Sequence, residues 1–122
     1  MRAEIAAFLD RRARTVEPGL YSVLERPAGA RYDHRARLYD RLVGSQTYNR
    51  MVWRTPVVWH REVAARAAAS ASGPLLEGGC GTALFTREAW TGSGRPLLLL
   101  DRSVDMLRVA RERVGGAATL LQ

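Results

Sequence analysis

A short apolar run that ends in an acid and a cluster of glycines constrains this chain more than any other stretch: Leu75-Leu76-Glu77-Gly78-Gly79-Cys80-Gly81-Thr82-Ala83-Leu84. Such a run reads as a buried strand breaking into a tight turn, after which a helix can start. Glycines let a backbone approach a ligand closely, and the N–H groups opening a following helix favour electron-rich partners. A nucleotide-like ligand is commonly cradled in this way, but many glycine-rich turns share the pattern. The flanking residues decide what it means.

Downstream, Thr82 to Trp90 is expected to be helical, Gly92-Ser93-Gly94 a turn, and Pro96 to Asp101 a strand built on Leu97-Leu98-Leu99-Leu100. Four successive leucines predict burial on both faces, the mark of a parallel sheet covered by helices. Ser103 is placed to cap a helix running to Val114, with Leu107, Ala110 and Val114 inward and Gly115-Gly116 ending it. Ala117 to Gln122 begins a third apolar run. The order is β-α-β-α-β, an α/β class.

Upstream, helical spacing dominates, and no strand is expected in the first 73 residues. Residues 3–14 place Ile5, Phe8 and Leu9 on one face, with Glu4 in the first turn and Arg11, Arg12 and Arg14 in the last. Glu17-Pro18-Gly19 breaks this helix, and a brief apolar stretch, Leu20 to Leu24, follows. From Arg31 to Val43, residues Tyr32, Ala36, Tyr39 and Val43 share a face. Thr55-Pro56 predicts a capped helix start, and the helix should run to about Ala71 with Val58, Val63 and Ala67 buried. Tyr32, Tyr39, Tyr48, Trp53 and Trp59 are expected to form the core of a helical lid. The chain therefore divides into a helical segment, residues 1–73, and a sheet-forming segment, residues 74–122.

Composition narrows the function. At 122 residues, 47% hydrophobic and 25% charged, the chain has the make-up of one globular domain. No apolar run approaches the roughly 20 residues of a membrane span, and the N-terminus lacks the apolar core of a signal peptide, so a cytoplasmic, non-membrane protein is expected. The single Cys80 excludes an internal disulfide. No histidine lies near Cys80 in sequence to activate it, so it reads as a small turn residue and not a nucleophile. His34 and His60 have no further Cys or His to complete a metal site, and no metal is expected. The net charge of +7 raises nucleic acid as a partner, yet all 19 basic residues are arginine, scattered from Arg2 to Arg113 with no run longer than two. Nucleic-acid binding is the weaker expectation.

The glycine spacing separates the nucleotide-binding classes. A dinucleotide fingerprint anchored on Gly79 and Gly81 needs glycine where Leu84 stands, and a phosphate-binding P-loop needs a lysine that this chain lacks. Acid-x-Gly-x-Gly-x-Gly/Ala fits, as Glu77, Gly79, Gly81 and Ala83. Asp101 lies 20 residues after Gly81, at the tip of the next strand. In a right-handed β-α-β unit the two strand tips share a rim, so Asp101 is placed to accept from the ribose hydroxyls of a bound nucleoside.

With these residues the sequence resembles the class I S-adenosylmethionine-dependent methyltransferases. Their first motif resembles Leu76 to Ala83, and their second resembles Asp101-Arg102-Ser103-Val104-Asp105-Met106-Leu107. Leu38-Tyr39-Asp40-Arg41-Leu42 is similar to the lead-in of the small-molecule members. The resemblance implies a Rossmann-like methyltransferase fold with S-adenosylmethionine as cofactor and a small-molecule methyl acceptor. It assigns cofactor contacts to Glu77 at the methionine end, to Gly79, Cys80 and Gly81 in the turn, and to Asp101 at the ribose. Arg102 and Met106 follow in the second motif, and Tyr39 reaches in from the helical segment. Ala83 departs from the usual third glycine, Gly78 from a usual hydrophobic residue, and Arg102 from the usual apolar residue against adenine.

The family sheet has seven strands, and its adenine-reading and acceptor-binding residues fall beyond the equivalent of Gln122. The chain is therefore expected to be a fragment or truncated form, with catalytic residues unassigned and weak cofactor binding and turnover alone. The alternative is a non-catalytic interaction module or pseudoenzyme that forms homo-oligomers through the open edge of its first predicted strand.

Overall fold

The computed structural model describes residues 2–25, 35–70 and 72–122. Helix α1 (Arg2–Arg12) leads into strands β1 (Arg14–Glu17) and β2 (Leu20–Ser22). Helices α2 (Ala36–Val43) and α3 (Gln46–Tyr48), a π-helical turn (Asn49–Trp53) and helix α4 (Val57–Ser70) follow. The remainder is β3 (Leu75–Gly78), α5 (Arg87–Gly92), β4 (Leu97–Leu100), α6 (Val104–Val114), a 3-10 turn and β5 (Ala118–Leu121). The five strands form one sheet in the order β1-β2-β5-β4-β3. All neighbours are parallel except the β1–β2 pair. This is an α/β architecture with a mostly parallel sheet, compatible with a Rossmann-like fold.

The β-α-β-α-β order expected of the second half is present, with Leu75 opposite Leu97 and Leu97 opposite Ala118. The first half is not wholly helical, contrary to the expectation that no strand precedes residue 74. Residues 14–22 make a hairpin that turns at Pro18-Gly19, where Gly19 has φ of +76°, and β2 pairs with β5. Leu20 of β2 lies beside Leu120 and is fully buried. Arg108 and Arg111 of α6 reach across to Glu17, at 2.8 and 2.5 Å, and hold its carboxyl below the usual range.

Leu20, Leu75, Leu97, Leu99 and Leu120 of the sheet pack with Ala64 of α4, Trp90 of α5, and Leu107, Ala110 and Val114 of α6. Helix α6 thus buries the stripe that its periodicity predicts, and Ser103 Oγ caps it by accepting from Met106 N–H. The opposite sheet face is less covered than four consecutive leucines suggest. Leu98 and Leu100 are half-buried, and Leu76 on edge strand β3 is 68% exposed.

Helix α4 also differs from expectation. It buries Ala64, whereas Val58, Val63 and Ala67 are exposed. Its first N–H groups are not capped by Thr55, whose hydroxyl donates to Trp53 O; Gln46 Oε1 accepts from Val57 N–H instead. At the other end Arg95 donates to Ala68 O and Gly73 O, bringing a cation to the helix C-terminus. Of the expected 31–43 helix, residues 36–43 are helical; Tyr32, His34 and the start of that helix lie outside the described residues.

Candidate functional site

The turn after β3 is longer than its sequence suggests, and this shapes the site. Thr82 to Trp90 was expected to be helical, but α5 begins only at Arg87. Gly79, Gly81 and Ala83 all take left-handed backbone, with φ of +68°, +51° and +52°, so the chain cannot enter a right-handed helix before Leu84. A β-carbon built on Gly79 or Gly81 would meet nothing within 4 Å. Open space therefore lies above both glycines, where a ligand can approach the backbone.

Two carboxylates organise the turn. Asp101, after β4, accepts from Gly81 N–H through Oδ2 and from Ser103 N–H through Oδ1, both at 2.8 Å. Glu77, at the end of β3, accepts through Oε2 from Trp90 Nε1 at 2.6 Å and Thr86 Oγ1 at 3.0 Å. Burial pushes the Glu77 carboxyl above its usual range, and the bonds from Trp90 and Thr86 only partly oppose this. Its second oxygen, Oε1, makes no hydrogen bond among the described residues. Between the acids, Cys80 is buried, and burial together with Asp101 and Glu77 drives its thiol pKa strongly upward. A thiol held protonated is not a nucleophile.

A buried polar cluster fastens α2 to this turn. Arg113 donates to Asp40 Oδ2 at 2.6 Å and to Thr82 O at 2.9 Å, while the Thr82 hydroxyl bonds Asp40 Oδ1. Asp40 is only 8% exposed, so this pairing keeps a buried carboxylate satisfied. The helical segment is thereby set against the glycine turn, leaving a cavity of about 640 Å³ between them.

Of the residues assigned from sequence, Tyr39, Glu77, Gly79, Cys80 and Gly81 line that cavity together. Asp101, Arg102 and Met106 lie outside its lining. Asp101 braces the turn, Arg102 is exposed, and Met106 is buried against Ala36 and Val109. Sequence reasoning did not place Thr82, Phe85, Thr86, Trp90 or His60 at the site, although all line it. Trp53 and Trp59 were expected in the lid core; both are substantially exposed and border the cavity. The signal for Trp90 and Thr86 is positional, because both fall on the element that follows the glycine turn.

Among the described residues, no cluster of His, Cys, Asp and Glu suits a metal, and no helix is long and apolar enough to cross a membrane. No protein-family model matches the chain, and no curated protein is significantly similar to it.

Proposed function

We propose that the cavity between the glycine turn and the helical segment binds S-adenosylmethionine, and that the chain belongs to a methyltransferase acting on a small-molecule acceptor. The observation that carries this reading is Glu77. A carboxylate whose pKa burial raises, at a cavity wall, with one oxygen held by Trp90 and Thr86 and the other without a partner among the described residues, favours a ligand that brings positive charge. The open space above Gly79 and Gly81 fits close backbone approach by such a ligand. S-adenosylmethionine would supply a cationic sulfonium carrying the transferable methyl group.

In this reading Glu77 Oε1 accepts from the ammonium of the methionine moiety, and Gly79 and Gly81 border the cofactor. Asp101 lies outside the cavity lining, so in this reading it acts on the cofactor indirectly, by holding the turn through Gly81 N–H and Ser103 N–H. Tyr39 borders the cavity from the helical segment and Thr82 from the turn. Catalysis in such a site rests chiefly on positioning.

The pH dependence of cofactor affinity is a direct test. A cationic ligand group prefers ionised Glu77, so the affinity should rise with pH as Glu77 loses its proton, then level off above its raised pKa. Titration calorimetry across that range reads this. An affinity that stays flat, or falls as pH rises through it, would count against the assignment.

A second reading rests on the sheet edge. Among the described residues, strand β3 pairs only with β4, and Leu76 there is 68% exposed, which suits association with another chain. A concentration-independent monomer by light scattering would remove that reading.

A further inference from the structure

A row of rings joins the helical segment to Phe85 beyond the glycine turn, and Trp53, His60 and Phe85 of this row line the cavity. His60 of α4 stacks on Phe85 with centroids 4.8 Å apart and planes at 17°. Trp53 meets His60 edge-on at 5.9 Å, and Tyr48 meets Trp53 at 5.5 Å. Trp59 and Val63 extend this wall; both line the cavity, yet they are 55% and 66% exposed. That much exposed ring surface beside a cavity favours a flat apolar partner.

The hydrogen bonding fixes which nitrogen of His60 carries the proton. Asn49, fully buried in the π-helical turn, donates through Nδ2 to Val43 O and to Ser45 O. Both amide protons are thus used on carbonyls, and Oδ1 is the atom left facing His60 Nε2, at 3.1 Å. An amide oxygen only accepts, so Nε2 carries the hydrogen and donates it. In the neutral ring Nδ1 then holds a lone pair, and it has no partner among the described residues. The π-helical turn produces this arrangement by bringing Asn49 under His60 and Trp53 beside it. Such turns frequently mark functional positions.

We infer that this end of the cavity binds a flat aromatic ring bearing an O–H or N–H donor, with His60 Nδ1 as the hydrogen-bond acceptor and Trp53 and Trp59 as the apolar wall. Giving this ligand the place of the methyl acceptor rests on the methyltransferase reading; the binding itself does not.

The test uses 2-naphthol and 2-methoxynaphthalene, equally flat and differing in the donor, in equilibrium dialysis at pH 8 without cofactor. The naphthol is expected to bind roughly five- to tenfold tighter than its ether, the gain of one hydrogen bond. His60→Phe keeps a ring against Phe85 and should bring the two affinities together. Equal binding of both compounds to the unaltered chain, or an undiminished preference in the variant, overturns the inference. If His60→Phe does not fold, the unaltered chain labelled with 15N at histidine decides. His60 Nδ1 should resonate as an unprotonated nitrogen and shift with the naphthol but not with the ether, whereas a protonated Nδ1, or equal shifts, overturns it. A chain that discriminates the naphthalenes but does not bind S-adenosylmethionine loses the methyltransferase reading and keeps this site; the opposite pair of results does the reverse.

Discussion

Glu77 sits where burial opposes its charge, and that separates its part in stability from its part in binding. Its raised carboxyl means that the folded chain holds this proton more tightly than the unfolded chain does. Below the ordinary carboxylate pKa of about 4.3 the group is neutral in both states and costs nothing; as pH rises through the raised value, the full penalty appears. Glu77→Gln keeps an oxygen for Trp90 and Thr86, so at pH 7 it should withstand urea at least as well as the wild type, with the difference vanishing below about pH 4. Gly81 behaves differently. Its β-carbon would meet no atom, and Ala83 already occupies the same left-handed region two residues on. Gly81→Ala should therefore cost only about 1 kcal/mol in chemical denaturation, the price of that backbone conformation. The added methyl would enter the open space above the turn, so cofactor affinity should fall well beyond what that small destabilisation implies.

Among the elements, those with strong local signals were legible. Helix α6 has a serine cap, an apolar stripe and a terminal glycine, and it forms as expected. Strand β4 was evident from its leucines. The β1–β2 hairpin was legible in principle, since two short runs flank Pro18-Gly19, but α1 ends only two residues before β1 and its periodicity masked the change. The delayed start of α5 was not legible, because the left-handed backbone at Ala83 belongs to the tertiary setting of the turn and not to alanine. The seat of Asp40 was equally hidden. Its partner Arg113 lies 73 residues away, and only the fold joins them. Arg113→Ala strands a buried carboxylate and should destabilise the chain by roughly 3–5 kcal/mol in chemical denaturation. Replacing both partners, Asp40→Leu with Arg113→Met, should cost markedly less, because no charge is left unpaired.

At the scale of the molecule, the helices and sheet bury one face around Leu99, Leu107 and Leu120 and leave the other only partly covered. The candidate site lies where the helical segment crosses the carboxyl end of β3, so it needs both parts of the chain. The motif half of that site was marked in sequence by the spacing of Glu77, Gly79 and Gly81; Asp101 was marked in the same way but braces the turn from outside the cavity lining. The aromatic half was not so marked, because Trp53, His60 and Phe85 are separated in sequence and lie on three different segments that only the fold brings into contact. Calorimetric titration of S-adenosylmethionine into the wild type and Glu77→Gln at pH 7.5 tests the central claim most directly. The expected result is saturable one-to-one binding that the substitution weakens by at least about tenfold, the loss of a charge-assisted hydrogen bond. Equal affinity in the two proteins, or no saturable binding to the wild type, would contradict it.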